Sequence, residues 1–280
     1  MGEIKNIQLE NITTGEKVTI YDDTEVRELM KDLENRFIAI LKNYQLEPKP
    51  DNEVVSMMRQ GGDVVMVKDV KAEGDVKDIT ITKDANIDLN QHSLNAEGGQ
   101  YGDTFVMGNG ANITISNGTI SPSDNATLEN TSATIHFKTS KVSHLTLNNV
   151  TVNGIYPIYV NNSAEGSTIT INSGNYCSEY ADNPAIFCNK YGTKVIINGG
   201  TFGQTGVQSP YLLNILDKLR YPTTDKQPID FIEVRGGEFW NFDPSNNRSE
   251  GEGTNYVGEG FEVVVENVGD DKLYKVIPKI

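Results

Sequence analysis

The residues able to do chemistry in this chain are few and widely spaced. Cleavage of a glycosidic bond usually needs two carboxylates about 5–9.5 Å apart. Asp88 and Glu233 hold the same outward position of a recurring eight-residue word, Asp88 in its first copy and Glu233 in its last. If copies stack as neighbouring strands about 4.8 Å apart, five intervals separate the two by roughly 24 Å. They cannot act on one bond. Glu233 and Glu238 share one copy and read as solvated surface charge. Eliminative cleavage would want carboxylates gathered around calcium plus an Arg or Lys base. The outward positions are instead mostly Thr, Asn and Ser, and the repeat region's arginines are Arg220 and Arg235.

His92, His136 and His144 show no metal spacing on a shared helix and read as surface or loop residues. Asp243-Pro-Ser-Asn-Asn-Arg-Ser-Glu250 is rich in oxygen ligands, but Arg248 stands inside it and the central glycine of a calcium loop is missing. Cys177 and Cys188 are the only cysteines and read as two buried thiols rather than a disulfide scaffold. Trp240, Phe242 and Tyr256 could stack on a sugar or plug the end of a core, and they are carried forward as possible glycan contacts. No catalytic residue, metal ligand or cofactor is expected.

The elements that position these residues come from a repeat. Six segments align without gaps: Ile87–Leu94, Ile113–Ile120, Leu145–Val152, Ile169–Tyr176, Val195–Phe202 and Ile232–Phe239. Their third positions (Leu89, Ile115, Leu147, Ile171, Ile197, Val234) recur at intervals of 26, 32, 24, 26 and 37 residues. Positions one, three and eight are apolar or aromatic throughout, so they point inward and stack from turn to turn. Position four is mainly Asn, which tolerates a left-handed corner and can bond to its copy in the next turn. Position six is Gly in four copies, as a tight bend needs. Each of the first five is paired with a shorter apolar run (Ile79–Ile81, Phe105–Met107, Ile135–Phe137, Ile158–Val160, Ile186–Cys188) that supplies a second strand per turn. The expected fold is all-β, a parallel β-helix over residues 79–242.

Outside the repeat, Ile4–Glu10 and Lys17–Tyr21 read as a hairpin. A helix starts at Asp22, with Glu25 three residues on as in a capping box. Val26, Met30, Leu33, Phe37, Ile40 and Tyr44 follow at spacings of 4, 3, 4, 3 and 4, a heptad seam. Two readings follow: a short coiled coil joining three copies, or a cap on an open solenoid end. The first reading makes residues 1–50 an anchor hairpin with a trimerising helix, and residues 51–78 read as a linker or cap with a short helix at Asn52–Gln60. Ser209 and Pro210 mark the start of another short helix running to Leu219. Residues 243–280 close the chain, with a hairpin turning at Gly269-Asp270-Asp271 to cover the last free edge.

Composition excludes several classes. Of 280 residues 24 are Lys or Arg and 39 Asp or Glu, for a net charge of −15. That disfavours nucleic acid and anionic membranes as partners. Only 37% of residues are hydrophobic, low for a globular enzyme and natural for a thin solenoid core. No secretion signal is visible after Met1, and no stretch approaches the roughly 20 apolar residues of a membrane span.

The Val26–Tyr44 seam followed by six β-helical copies resembles bacteriophage fibre and tailspike proteins, which set an N-terminal anchor and trimerising helix before a β-helical shaft. The resemblance implies a right-handed, single-stranded, pectate-lyase-like solenoid in a homotrimer. It implies a virion location, such as a capsid-decorating head fibre, with capsid or tail proteins bound through the N-terminal segment. A host-surface glycan is a further implied partner. A tailspike-type depolymerase, with its site between subunits, and a bacterial surface adhesin are the alternatives.

Overall fold

The computed structural model describes residues 7–10, 17–20, 31, 49–75, 77–161, 164–189, 192–216 and 227–280. The chain divides into two compact units, Met1–Lys49 and Pro50–Ile280. In the first, Ile7–Glu10 pairs antiparallel with Lys17–Ile20, placing Ile7 opposite Ile20 and Glu10 opposite Lys17. Val26, Met30, Leu33, Phe37, Ile40 and Tyr44 lie outside the described residues.

The second unit is a parallel β-solenoid with two sheets. The shorter sheet stacks Ile79–Ile81, Phe105–Met107, Ala133–Phe137, Tyr156–Val160, Ile186–Cys188 and Leu213–Ile215 in chain order. The longer sheet carries two columns of parallel strands. One runs from Gly62–Val65 through Ala85–Asp88 to Ile232–Val234, the other from Val70–Ala72 through Ser93–Ala96 to Gly237–Trp240. Asn112–Ile120 and His144–Gly154 are long enough to belong to both columns.

The alternation dictates the core. Positions one, three and eight of the word are buried in every copy. Each fully buried Ile or Leu contributes about 1.5–3 kcal/mol. At position eight the column ends in stacked rings. Tyr176 and Phe202 lie 5.0 Å apart at 15°, and Phe202 and Phe239 lie 5.0 Å apart at 10°. Outside the corner, amides bond from turn to turn: Asn172 Nδ2 donates to Asn148 Oδ1 at 2.8 Å, and Asn198 Nδ2 to Asn172 Oδ1 at 2.8 Å.

Four expectations need correction. The solenoid begins at Gly62 rather than Ile79, because Val64 pairs with Ile87 and Val70 with Leu94. This first turn lacks the Asn and Gly of the later word, so the alignment missed it. Next, Ile87 pairs with Ile115, not Ile113. The first copy therefore sits two residues out of register over its strand and regains register at Leu94, opposite Ile120. Leu89 fills the widened bend, and a Cβ on Gly118 would lie 2.5 Å from Leu89 Cβ. Third, the expected left-handed Asn at position four holds only in the first copy, at Asn90 (φ 47°, followed by Gln91 at φ 68°). The next two copies turn at position five, Asn117 (φ 57°) and Asn149 (φ 54°), and copies four to six place a positive-φ glycine at position six. Asn148, Asn172 and Asn198 are free to act as the ladder. Last, the expected helix from Ser209 contains the strand Leu213–Ile215, with Leu213 opposite Ile186 and Ile215 opposite Cys188. Alternation in Leu213-Asn214-Ile215 and an open sheet edge outweigh the Ser-Pro start signal.

The ends of the stack are closed differently. The helix Asp51–Gln60 packs Val55 and Met58 onto the first turn and stops at Gly61, where φ is 83°. Asp51 ties it down by accepting from Lys68 Nζ at 2.5 Å and from the Lys71 amide at 2.8 Å. At the other end Phe261–Val268 and Asp271–Pro278 form an antiparallel ribbon, and the second of these strands pairs antiparallel with Gly237–Trp240. That reversal of direction ends the parallel ladder.

Candidate functional site on the outer face of the short sheet

Each strand of the short sheet has a middle residue between two inward ones, and register aligns these middles into one outward row. From first turn to last the row reads Thr80, Val106, His136, Tyr159, Phe187, Asn214. It is not a plain solvated face. His136 and Tyr159 are each only 7% exposed. Tyr156, Phe187 and Asn214 are half-buried.

A carboxylate underlies the row. Asp103, in the loop leading into Phe105–Met107, accepts the Ala133 amide through Oδ1 at 2.9 Å. Its Oδ2 lies 2.7 Å from His136 Nδ1, so this ring nitrogen carries the proton. His136 Nε2 is buried without a hydrogen-bond partner among the described residues. An Asp-oriented imidazole is the usual design of a general base. No described hydroxyl or thiol reaches Nε2, so the described residues assemble no nucleophile–base pair around it.

Aromatic rings continue the row. His136 and Tyr159 centroids are 5.2 Å apart, Tyr159 and Phe187 5.5 Å, and Tyr156 and Phe187 5.9 Å with planes at 27°. Asn189 Nδ2 donates to the Tyr159 hydroxyl. Burial pushes both the Tyr156 and Tyr159 hydroxyls above their ordinary pKa, and the neighbouring Tyr156 and Asp103 add to the effect at Tyr159.

The longer sheet offers a shallower feature. Gly62, Asp84, Asn86, Asn112, Thr114 and His144 line an open groove of about 380 Å³. Asp84 Oδ1 accepts from Asn112 N at 2.7 Å and Nδ2 at 3.1 Å, which holds this carboxyl below the usual range. His144 Nδ1 lies 2.8 Å from Thr168 Oγ1. Among the described residues no group of three or more His, Cys, Asp or Glu could hold a metal ion.

Glu233 is more than surface charge. Its carboxylate takes Arg235 Nε at 2.7 Å and also Lys194 Nζ, and only 14% of the side chain is exposed. The Arg235 hydrogen bond, aided by Lys194 and opposed by partial burial, holds its pKa below the ordinary value. A depressed folded pKa gives stability that is complete above the unfolded value and is lost as pH falls through the folded one. Glu233→Gln is thus expected to flatten the stability curve below about pH 4.5. Superimposable acid-unfolding curves for variant and wild type would contradict this.

The other sequence candidates are placed as follows. Tyr256 is fully buried and Phe242 is 3% exposed, so neither ring can meet a sugar. Both belong to the core, and the Tyr256 hydroxyl lies 3.0 Å from Ser249 Oγ. Trp240 is half-buried beside Leu212 and Val207. Asp88 is opposite Ser116 rather than in the Glu233 row, and its Oδ1 accepts the Asn90 amide at 2.8 Å. Asp243 and Glu250 serve local structure. Asp243 Oδ1 accepts the Ser245 amide, and buried Glu250 Oε1 accepts the Ile215 amide at 2.6 Å. Cys188 is buried and Cys177 half-buried, both as free thiols. Sequence reasoning missed the His136–Tyr159–Phe187 row, although its signal was present in the middle residues of the short apolar runs.

No known protein family, curated protein or solved structure matches this chain. The fold defines a class, the parallel β-solenoids, and no narrower kinship is shown.

Proposed function

We propose that this chain is a non-enzymatic fibre protein of a bacteriophage particle, a homotrimer held to head or tail by its N-terminal segment. Its β-helical shaft projects and adheres to host-surface glycan. In this reading the Val26–Tyr44 helix is the trimerising coiled coil, with Val26, Met30, Leu33, Phe37, Ile40 and Tyr44 on the shared seam. The observation that supports it is the shaft itself. Seven rungs of the first column run from Gly62–Val65 to Ile232–Val234, closed by a helix at one end and an antiparallel ribbon at the other. Such a stack is stiff along its axis, because every rung is hydrogen-bonded to its neighbours. No helix among the described residues is long and apolar enough to cross a membrane.

Sedimentation tests the assembly. The wild-type chain is expected to run as a trimer at micromolar concentration, and Phe37→Asp as a monomer with its β-sheet signal intact. A wild-type monomer would reject the fibre reading.

The Asp103–His136 pair supports a second reading, a tailspike-type polysaccharide depolymerase whose remaining catalytic groups come from a neighbouring subunit. Release of reducing ends from capsular polysaccharides, abolished by His136→Gln, would establish it over the first.

A further inference from the structure

We infer that Tyr156, Phe187, Asn189 and Asn214 form a platform for an uncharged glycan lying along the solenoid axis. The inference rests on the adhesive part of the fibre reading and assigns it a place.

Two half-buried rings, Tyr156 and Phe187, come from neighbouring rungs and stack at 5.9 Å and 27°. Rungs are about 4.8 Å apart, so the rings make a continuous apolar strip along the axis. The C–H face of a pyranose is apolar and packs on such a strip, while its hydroxyls need donors and acceptors at the edges. Amides supply both. Asn214 is the next residue of the row beyond Phe187, and Asn189 follows Cys188 in the same strand's exit. Few polar groups around an aromatic surface is the usual composition of a small-molecule site.

The platform is also held still. Tyr159 lies against both Tyr156 and Phe187 and accepts the Asn189 amide. His136 backs Tyr159 and is itself fixed by Asp103. Rings and amide fixed before binding lose little conformational entropy on contact. Charge selects the ligand class. The row from Thr80 to Asn214 contains no Lys, Arg, Asp or Glu, and Asp103 spends both oxygens on Ala133 and His136. With a net charge of −15, the chain repels acidic polymers.

The test uses the full chain on an array of immobilised neutral oligosaccharides (glucans, mannans and galactans) beside acidic ones such as polygalacturonate. Binding to neutral members is expected. Phe187→Leu, which keeps an apolar side chain but removes the ring, should weaken it at least tenfold, and Phe187→Tyr should retain it. Val264→Ala, an exposed position on the C-terminal ribbon, should leave it unchanged. Binding confined to acidic glycans, no binding at all, or equal binding by Phe187→Leu would overturn the platform. Sedimentation of the same samples separates the two ideas. A trimer that binds no neutral glycan overturns the platform alone, and a monomer that binds through Phe187 overturns the fibre alone.

Discussion

Gly174→Ala is expected to destabilise the solenoid by about 3 kcal/mol or more, enough to unfold it under mild denaturant. Two independent faults add at this position. The residue has φ of 122°, a conformation closed to side chains with a Cβ. A Cβ there would also lie 2.0 Å from the Val150 carbonyl oxygen and 2.7 Å from its nitrogen. The obstacle is backbone of the preceding turn, so no rotamer change relieves it. Gly206 is the control, since its φ of 73° is also positive but nothing lies within 4 Å of a Cβ. Gly206→Ala carries only the conformational penalty, about 1 kcal/mol. Urea unfolding of both variants measures the difference. Equal midpoints would mean that steric contact between rungs does not limit the corner.

Phe202→Ala carries the second large effect, a loss of about 3–5 kcal/mol. Phe202 is fully buried and is the middle ring of the Tyr176–Phe202–Phe239 stack. Truncation leaves a cavity whose floor and ceiling are rings on neighbouring strands, and these cannot close up without shifting the ladder. Each lost ring pair adds about 0.5–1.5 kcal/mol beyond burial. Phe202→Leu keeps most of the buried volume and should recover at least half of the loss. A Phe202→Ala variant within 1 kcal/mol of wild type would show that the rungs relax independently.

The fold was legible because its determinants are local and periodic. Ile113 to Phe239 contain five copies in true register, and each inward position is apolar for the same reason in each. Legibility failed where local signals and neighbours disagree. Leu89 carries the right residue type at the wrong register, since a bend two residues longer leaves the alternation unbroken. Ser209-Pro210 announces a helix correctly by local rules, but the edge beside Ile186–Cys188 recruits Leu213–Ile215 as a strand. The site was less legible than the fold. Tyr256 and Phe242 looked available because aromatic residues near a chain end serve core and surface alike. His136, Tyr159 and Phe187 are separated by 23 and 28 residues, and only the pairing of strands brings them into one row.

The Asn148–Asn172–Asn198 ladder and the rings beneath it have a consequence for how such a protein changes over generations. Because each rung meets only its two neighbours, the natural unit of insertion or deletion is a whole turn, 24 residues between Leu147 and Ile171 and 26 between Ile171 and Ile197. Removing or duplicating one leaves both closures and every remaining register intact, and alters reach by a fixed step of about 4.8 Å. Length in this architecture is therefore digital, adjustable by unequal crossing-over within the gene rather than by accumulated point substitutions.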